Sequence, residues 1–136
     1  MNTIEQLRRD EGVRKFPYTD TDGNITIGVG RNLTRDGISD VEINFLLHNN
    51  VESVTNELQT RLPYFNAVDP IRQAVLVNLC FNIGFTSLEG FVKMLHAVAQ
   101  GEWDIAAKEM LNSLWAKQTG DRATRLAQQM RTGKWV

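Results

Sequence analysis

"RRDEGVRKFPYTDTDGNITIGVG", residues 8–30, begins as the end of a helix, passes through a run of turn-formers and finishes as a short β-branched stretch. Upstream, Thr3 to about Asp10 reads as a helix with Thr3 at the N-cap, Ile4 and Leu7 on one face and Gly12 just past its end. Downstream, "FPYTD" and "ITIGVG" flank "TDTDGN", where Asp22-Gly23 is a strong turn signal. The spacing predicts a small hairpin with a third strand at 31–34. Pro17 confines its strand to an edge or a starting position. So small a sheet is not stable alone and must lean on helices. Two acids stand out in this stretch: Glu11 at the end of the helix and Asp20 in the loop.

The rest of the chain is helical. "SDVE" is a capping box, with Ser39 at the N-cap and Glu42 at N3. Leu46, Leu47, Val51, Val54, Leu58 and Leu62 then sustain one long helix until Pro63. "DPIRQAVLVNLCFNIG" opens with Asp69 as N-cap and Pro70 at N1 and closes on Gly84. Its apolar residues cover most of its circumference, so it is expected to be the central buried helix. Further helices are predicted at 87–99, 102–114 and 121–131, punctuated by Gly101, Gly120 and Gly133. The fold class is therefore α+β: a small β lobe at 12–38, a connecting helix at 39–62 and a helical lobe at 63–136. Helix 3–11 is expected to pack on the helical lobe.

Bulk properties narrow the function classes. At 136 residues the chain forms one domain or two small lobes. It is 42% apolar and 23% charged, ordinary for a globular protein. A net charge of −1 lacks the basic excess of a nucleic-acid binder, and none is expected as a partner. Charge is nonetheless uneven: Lys117, Arg122, Arg125, Arg131 and Lys134 face only Asp121 near the C-terminus, a patch that could attract a polyanion. Cys80 is the only cysteine, so no internal disulfide can form, and its apolar surroundings suit a buried thiol better than a nucleophile. The N-terminus does not read as a signal peptide. No stretch reads as a membrane span, so stable membrane insertion is not expected. His48 and His96 have no neighbouring ligand set, so no metal site and no cofactor are expected.

Two carboxylates nine positions apart prove nothing alone, since most Asp and Glu are solvated. Their settings differ, however. A glycosidic bond breaks when one acid protonates the leaving oxygen while a carboxylate serves the opposite sugar face. One group must stay protonated, by burial, and the other ionised, in a polar loop. Glu11 at a helix C-terminus, where the dipole disfavours negative charge, suits the first role. Asp20 in a solvated turn suits the second.

"LRRDEG", "YTDTDGNITIGVG", "LVNLCFNIG", "GFVKML", "WDIAAKEM" and "DRATRLAQQMRTGKW" resemble, in order and over nearly the whole chain, the T-even type of bacteriophage lysozymes, glycoside hydrolase family 24. The resemblance implies a two-lobed lysozyme fold with the active site in the cleft between the lobes. The family's E–x8–D–x5–T triplet falls on Glu11, Asp20 and Thr26. By resemblance, Glu11 is the general acid, Asp20 binds or activates the attacking water and Thr26 helps to position it. Arg122 matches the arginine that pairs with the catalytic Glu; Phe81 and Asn82 match residues lining the cleft, and Asn32 falls where the family contacts sugar. Read from the residues alone, Arg122 could equally be a surface charge, Phe81 a core aromatic and Asn32 a turn asparagine. Asn82 is harder to place, because an unpaired buried amide costs roughly 1–3 kcal/mol. Trp115 and Gln118 read as packing residues between lobes, Trp103 and Trp135 as structural.

The implied activity is an inverting hydrolysis of the β-1,4 bonds between N-acetylmuramic acid and N-acetylglucosamine of peptidoglycan. A monomer is expected, held in the host bacterial cytoplasm before lysis and reaching the wall through a separately encoded membrane pore protein. The rivals are a lytic transglycosylase and a non-catalytic wall-binding module on the same fold. Two departures bear on these expectations. Arg31 stands where the family commonly has His, and its guanidinium is expected to favour ionised Asp20. The stretch between the sheet and the long helix is also much shorter than in the T-even enzyme.

Overall fold

The computed structural model describes residues 1–136. Helices hold 68% of them, and the one sheet is three-stranded, antiparallel and ordered β1-β2-β3, so the α+β expectation holds. The chain forms two compact units, Met1–Leu46 and Leu47–Val136.

The first unit opens with α1 (Thr3–Glu11). Its N-cap is Asn2, not Thr3: Asn2 Oδ1 accepts from Glu5 N at 3.0 Å while Glu5 Oε2 accepts from Asn2 N at 2.9 Å. The reciprocal pair satisfies both ends of a capping box one residue earlier than the Thr3–Gln6 spacing would have placed it. Gly12 ends the helix at φ +78. β1 (Arg14–Thr19) and β2 (Ile25–Gly28) form the expected hairpin across the Asp22-Gly23 turn. Pro17 lies in edge strand β1, where the register slips between Arg14 and Tyr18. A ladder proton is missing there without loss to a second neighbour. β3 is shorter than expected, Arg31–Asn32. Asn32 Oδ1 accepts from Arg35 N at 2.9 Å and turns Leu33–Asp36 into a one-turn helix, α2, where strand was expected to continue. α3 (Asp40–Arg61) then starts on the Ser39–Glu42 capping box and runs into the second unit.

The second unit holds every buried apolar side chain of the protein, from Leu58 to Met130. Asp69 caps α4 (Pro70–Glu89) by accepting from Arg72 N at 3.1 Å. Gly84, at φ +80 and ψ 161, breaks that helix where the sequence placed its end; a second helical segment follows directly, through Glu89. α4 has the length and mean hydropathy, 1.2, of a membrane-spanning helix, which the sequence reading had denied to every stretch. Here Val75, Leu76, Leu79, Cys80, Phe85 and Leu88 are buried in the unit's core, as expected of a central helix. α5 (Val92–Ala99) starts later than predicted, and α6 (Trp103–Leu111) stops earlier. Ser113 caps an unanticipated short helix, α7 (Leu114–Thr119), by accepting from Ala116 N. α8 (Asp121–Thr132) matches its expected span and packs on α6 and α4. Trp115 is buried within this unit, edge-on to Phe91 at 6.4 Å. Arg72 lies over the Trp103 ring at 4.3 Å, a structural role for that indole, whereas Trp135 is 70% exposed and packs little.

Candidate functional site

The loop between β1 and β2 is built around Asp20. Its Oδ1 accepts from Asn24 N at 2.8 Å and from Asp22 N at 2.9 Å, and Asn24 Nδ2 stands 3.4 Å from Oδ2. Aspartate favours such turns because its side chain can bond the backbone two residues on. The Asn24 N–H, followed by those of the rest of the turn, holds the carboxyl below its usual pKa of 3.8. The anion is therefore the resting form, as the sequence reading expected.

Thr26 is the only buried residue of the first unit, 5% exposed, at the centre of the middle strand. Its hydroxyl donates to Asn24 O over 3.5 Å. That contact is long enough to leave the proton available to a better acceptor. Asn24 thus ties the two residues: its N–H serves the Asp20 carboxylate and its carbonyl receives the Thr26 hydroxyl. Sequence reading did not single out Asn24, although an Asp followed four positions later by Asn in a Gly-containing turn is the available signal. Tyr18, Thr26 and Asn32 pair across the three strands and share one face of the sheet. The Asn32 amide oxygen is engaged in capping α2, so its turn role is established by that bond.

Glu11 is the last residue of α1 and is exposed, so the burial expected for it is not present. Its carboxyl lies against Gly30: a Cβ on that glycine would sit 3.4 Å from Glu11 Oε2. Glu11, Asp20, Thr26 and Asn32 accordingly all belong to the first unit, on or beside its sheet.

Arg31 does not act on Asp20. Its guanidinium donates to Glu42 Oε1 at 2.7 Å and to the Gly37 carbonyl at 3.2 Å. The cation is neutralised there, and no bond from Arg31 to the Asp20 turn exists. Glu42 in consequence titrates at about 2 instead of 4.5, held down first by the Arg31 hydrogen bond and then by Ser39. A depressed carboxyl stabilises the fold above its unfolded value and loses that contribution as pH falls toward the folded value. Wild type is therefore expected to exceed Glu42→Gln in stability above about pH 4.5, with a gap that shrinks on acidification and vanishes near pH 2. Urea titrations of both proteins across that range check this. A gap that does not change with pH would dismiss the pairing.

The remaining expected residues belong to the second unit. Phe81 is 45% exposed and so is not a core aromatic. With Asn78 and Arg122 it lines a groove of about 470 Å³ whose other walls are largely apolar. The Arg122 guanidinium donates to Asn78 Oδ1 through Nη2 at 2.7 Å and Nε at 3.0 Å, a fork that fixes its direction. Asn82 is exposed, not buried and unpaired as feared: its Oδ1 accepts from the indole of Trp115 at 2.9 Å. Trp115 so finds its partners inside the helical unit.

Residues 8–132 match the phage lysozyme family. The chain belongs to that family. Among individual relatives, the pre-baseplate central spike protein Gp5 of Enterobacteria phage T4 is 34% identical, over 98% of this chain but only 28% of that protein. The probable T4-type lysozymes 2 and 1 of Dictyostelium discoideum are each 27% identical, over 95% of this chain and 93% of theirs. The match thus covers most of each Dictyostelium relative but only a little over a quarter of the spike protein. Family membership makes it a lysozyme-type glycoside hydrolase, in keeping with an acid at a helix end and a second acid in a β-turn of the same small sheet.

Proposed function

We propose that this protein hydrolyses the β-1,4 bonds between N-acetylmuramic acid and N-acetylglucosamine in bacterial peptidoglycan, with inversion at the anomeric carbon. Glu11 gives its proton to the glycosidic oxygen as the bond to the anomeric carbon breaks. A water attacks that carbon from the opposite face, and its proton passes to Asp20. Thr26 holds the water in line. The observation that carries this reading is the Asp20–Asn24–Thr26 connection, which joins an ionised carboxylate to a hydroxyl whose only bond is long. A carboxylate held at low pKa is a weak base. It suffices here, because the transition state resembles an oxocarbenium ion, to which water adds with little prior loss of its proton. The ionised Asp20 also stabilises that developing positive charge.

Proton NMR of purified disaccharide-repeat glycan, recorded through the first turnovers, tests the mechanism. Inversion delivers the α-anomer first, and mass spectrometry of the products gives a combined mass one water above that of the uncleaved chain. A β-anomer appearing first would replace inversion by a two-step path. An anhydro sugar would make the protein a lytic transglycosylase, and unchanged glycan would leave only wall binding.

A further inference from the structure

The loop joining β2 to β3 contains Gly28 at φ +70 and Gly30 at φ +73. Both occupy the left-handed region that L side chains rarely adopt, so turn geometry alone accounts for glycine at each. They differ in what a side chain would meet. A Cβ on Gly28 would have nothing within 4 Å. A Cβ on Gly30 would have the Glu11 side chain as its nearest neighbour: Oε2 at 3.4 Å, Cδ at 3.8 Å and Cγ at 3.9 Å. These are ordinary van der Waals distances, so a methyl would fit beside the carboxyl without evicting it. It would instead occupy the space on that side.

We propose that Gly30 is a positioning residue for Glu11, its bare α-carbon keeping one side of the carboxyl open to the sugar whose oxygen is protonated. The inference rests on the role of Glu11 proposed above. A methyl in that space holds the glycosidic oxygen off the acid and confines the swing of the carboxyl. Proton transfer tolerates neither, because displacement of a reacting group by even 1 Å can cost about a hundredfold. Fold stability is indifferent to the difference, since Gly30 and Gly28 pay the same backbone strain when an L side chain is added.

Gly28 is therefore the matched control. Gly30→Ala and Gly28→Ala are expected to lower Tm alike, by about 2–6 °C. Gly30→Ala should lose at least about tenfold more in kcat on soluble glycan chains than Gly28→Ala. Should either alanine variant not fold, Gly30→Asn and Gly28→Asn make the same comparison, as asparagine enters the left-handed region more readily than other L residues. Equal kcat in the paired variants overturns the inference, as does a loss confined to KM, which would place the methyl against bound sugar and not against the acid. An inactive wild type overturns the proposed function and this inference together. An active wild type with indistinguishable variants overturns this inference alone.

Discussion

Glu11→Gln is expected to abolish lysis of peptidoglycan while leaving the fold intact. Glu11 closes α1 with its side chain in solvent, making no hydrogen bond to another residue that the substitution would break. Exposed substitutions of this kind change stability by about 0.5 kcal/mol or less. Glutamine keeps the shape that lies against Gly30 but has no carboxylic proton to give to the leaving oxygen. General-acid catalysis contributes typically about 10²–10⁴-fold, and the loss should fall in kcat. Turbidity of a wall suspension, followed beside thermal melts of both proteins, measures the two quantities separately. A folded Glu11→Gln protein within about tenfold of wild type would remove Glu11 from the chemistry. A large loss of stability would instead reassign it to the helix end.

How far the sequence reaches depends on the range of the interaction. The Ser39–Glu42 box, the Asp69 cap and the turn at Asp22-Gly23 are local, so three or four residues suffice to predict them. The failures follow from longer reach or from closely competing local options. Glu42 was legible as a capping residue, yet the same Oε1 also receives Arg31 from eleven positions away. That second bond is what diverts the guanidinium from Asp20. Asn82 looked costly because its helix is apolar, but its partner Trp115 lies 33 positions on, beyond any periodicity. Both Asn2 and Thr3 can cap a helix, and each has a residue three positions on, Glu5 or Gln6, able to close a box; the structure closes it between Asn2 and Glu5. α7 was missed because six residues carry too little pattern, although Ser113 was a visible cap. Within the site, Glu11 and Asp20 stand out by their settings in the sequence, and Thr26 is found through the resemblance. Asn24, bonded to Asp20 and Thr26, and Gly30, beside the Glu11 carboxyl, have signals that carry meaning only once the hairpin is in place.

Thr26→Val separates sheet-building from chemistry. Valine keeps the branched shape in the middle strand, where β-branched residues are favoured. Only the 3.5 Å bond to Asn24 O is lost, so the change in stability should be small. If threonine is there for the strand, activity survives. If its hydroxyl holds the attacking water, the loss of one hydrogen bond in the transition state, about 1.5–3 kcal/mol, lowers kcat by roughly 10- to 100-fold. Full activity in the valine protein would dismiss the water-holding role. Thr26→Glu presses the point harder. Its carboxylate would take the place of the water, at the centre of a sheet face flanked by Tyr18 and Asn32. From there it can attack the anomeric carbon itself while Glu11 still protonates the leaving oxygen. One-step hydrolysis then becomes the first half of a two-step path, and the water needed for the second half has been displaced. The expected result is a folded, lytically dead protein that gains the mass of a covalently attached glycan fragment on exposure to cell wall, measured on the intact chain. The adduct should be absent from the double variant Thr26→Glu/Glu11→Gln, which cannot release the leaving group. A folded Thr26→Glu protein that stays at its own mass places the water somewhere other than beside Thr26.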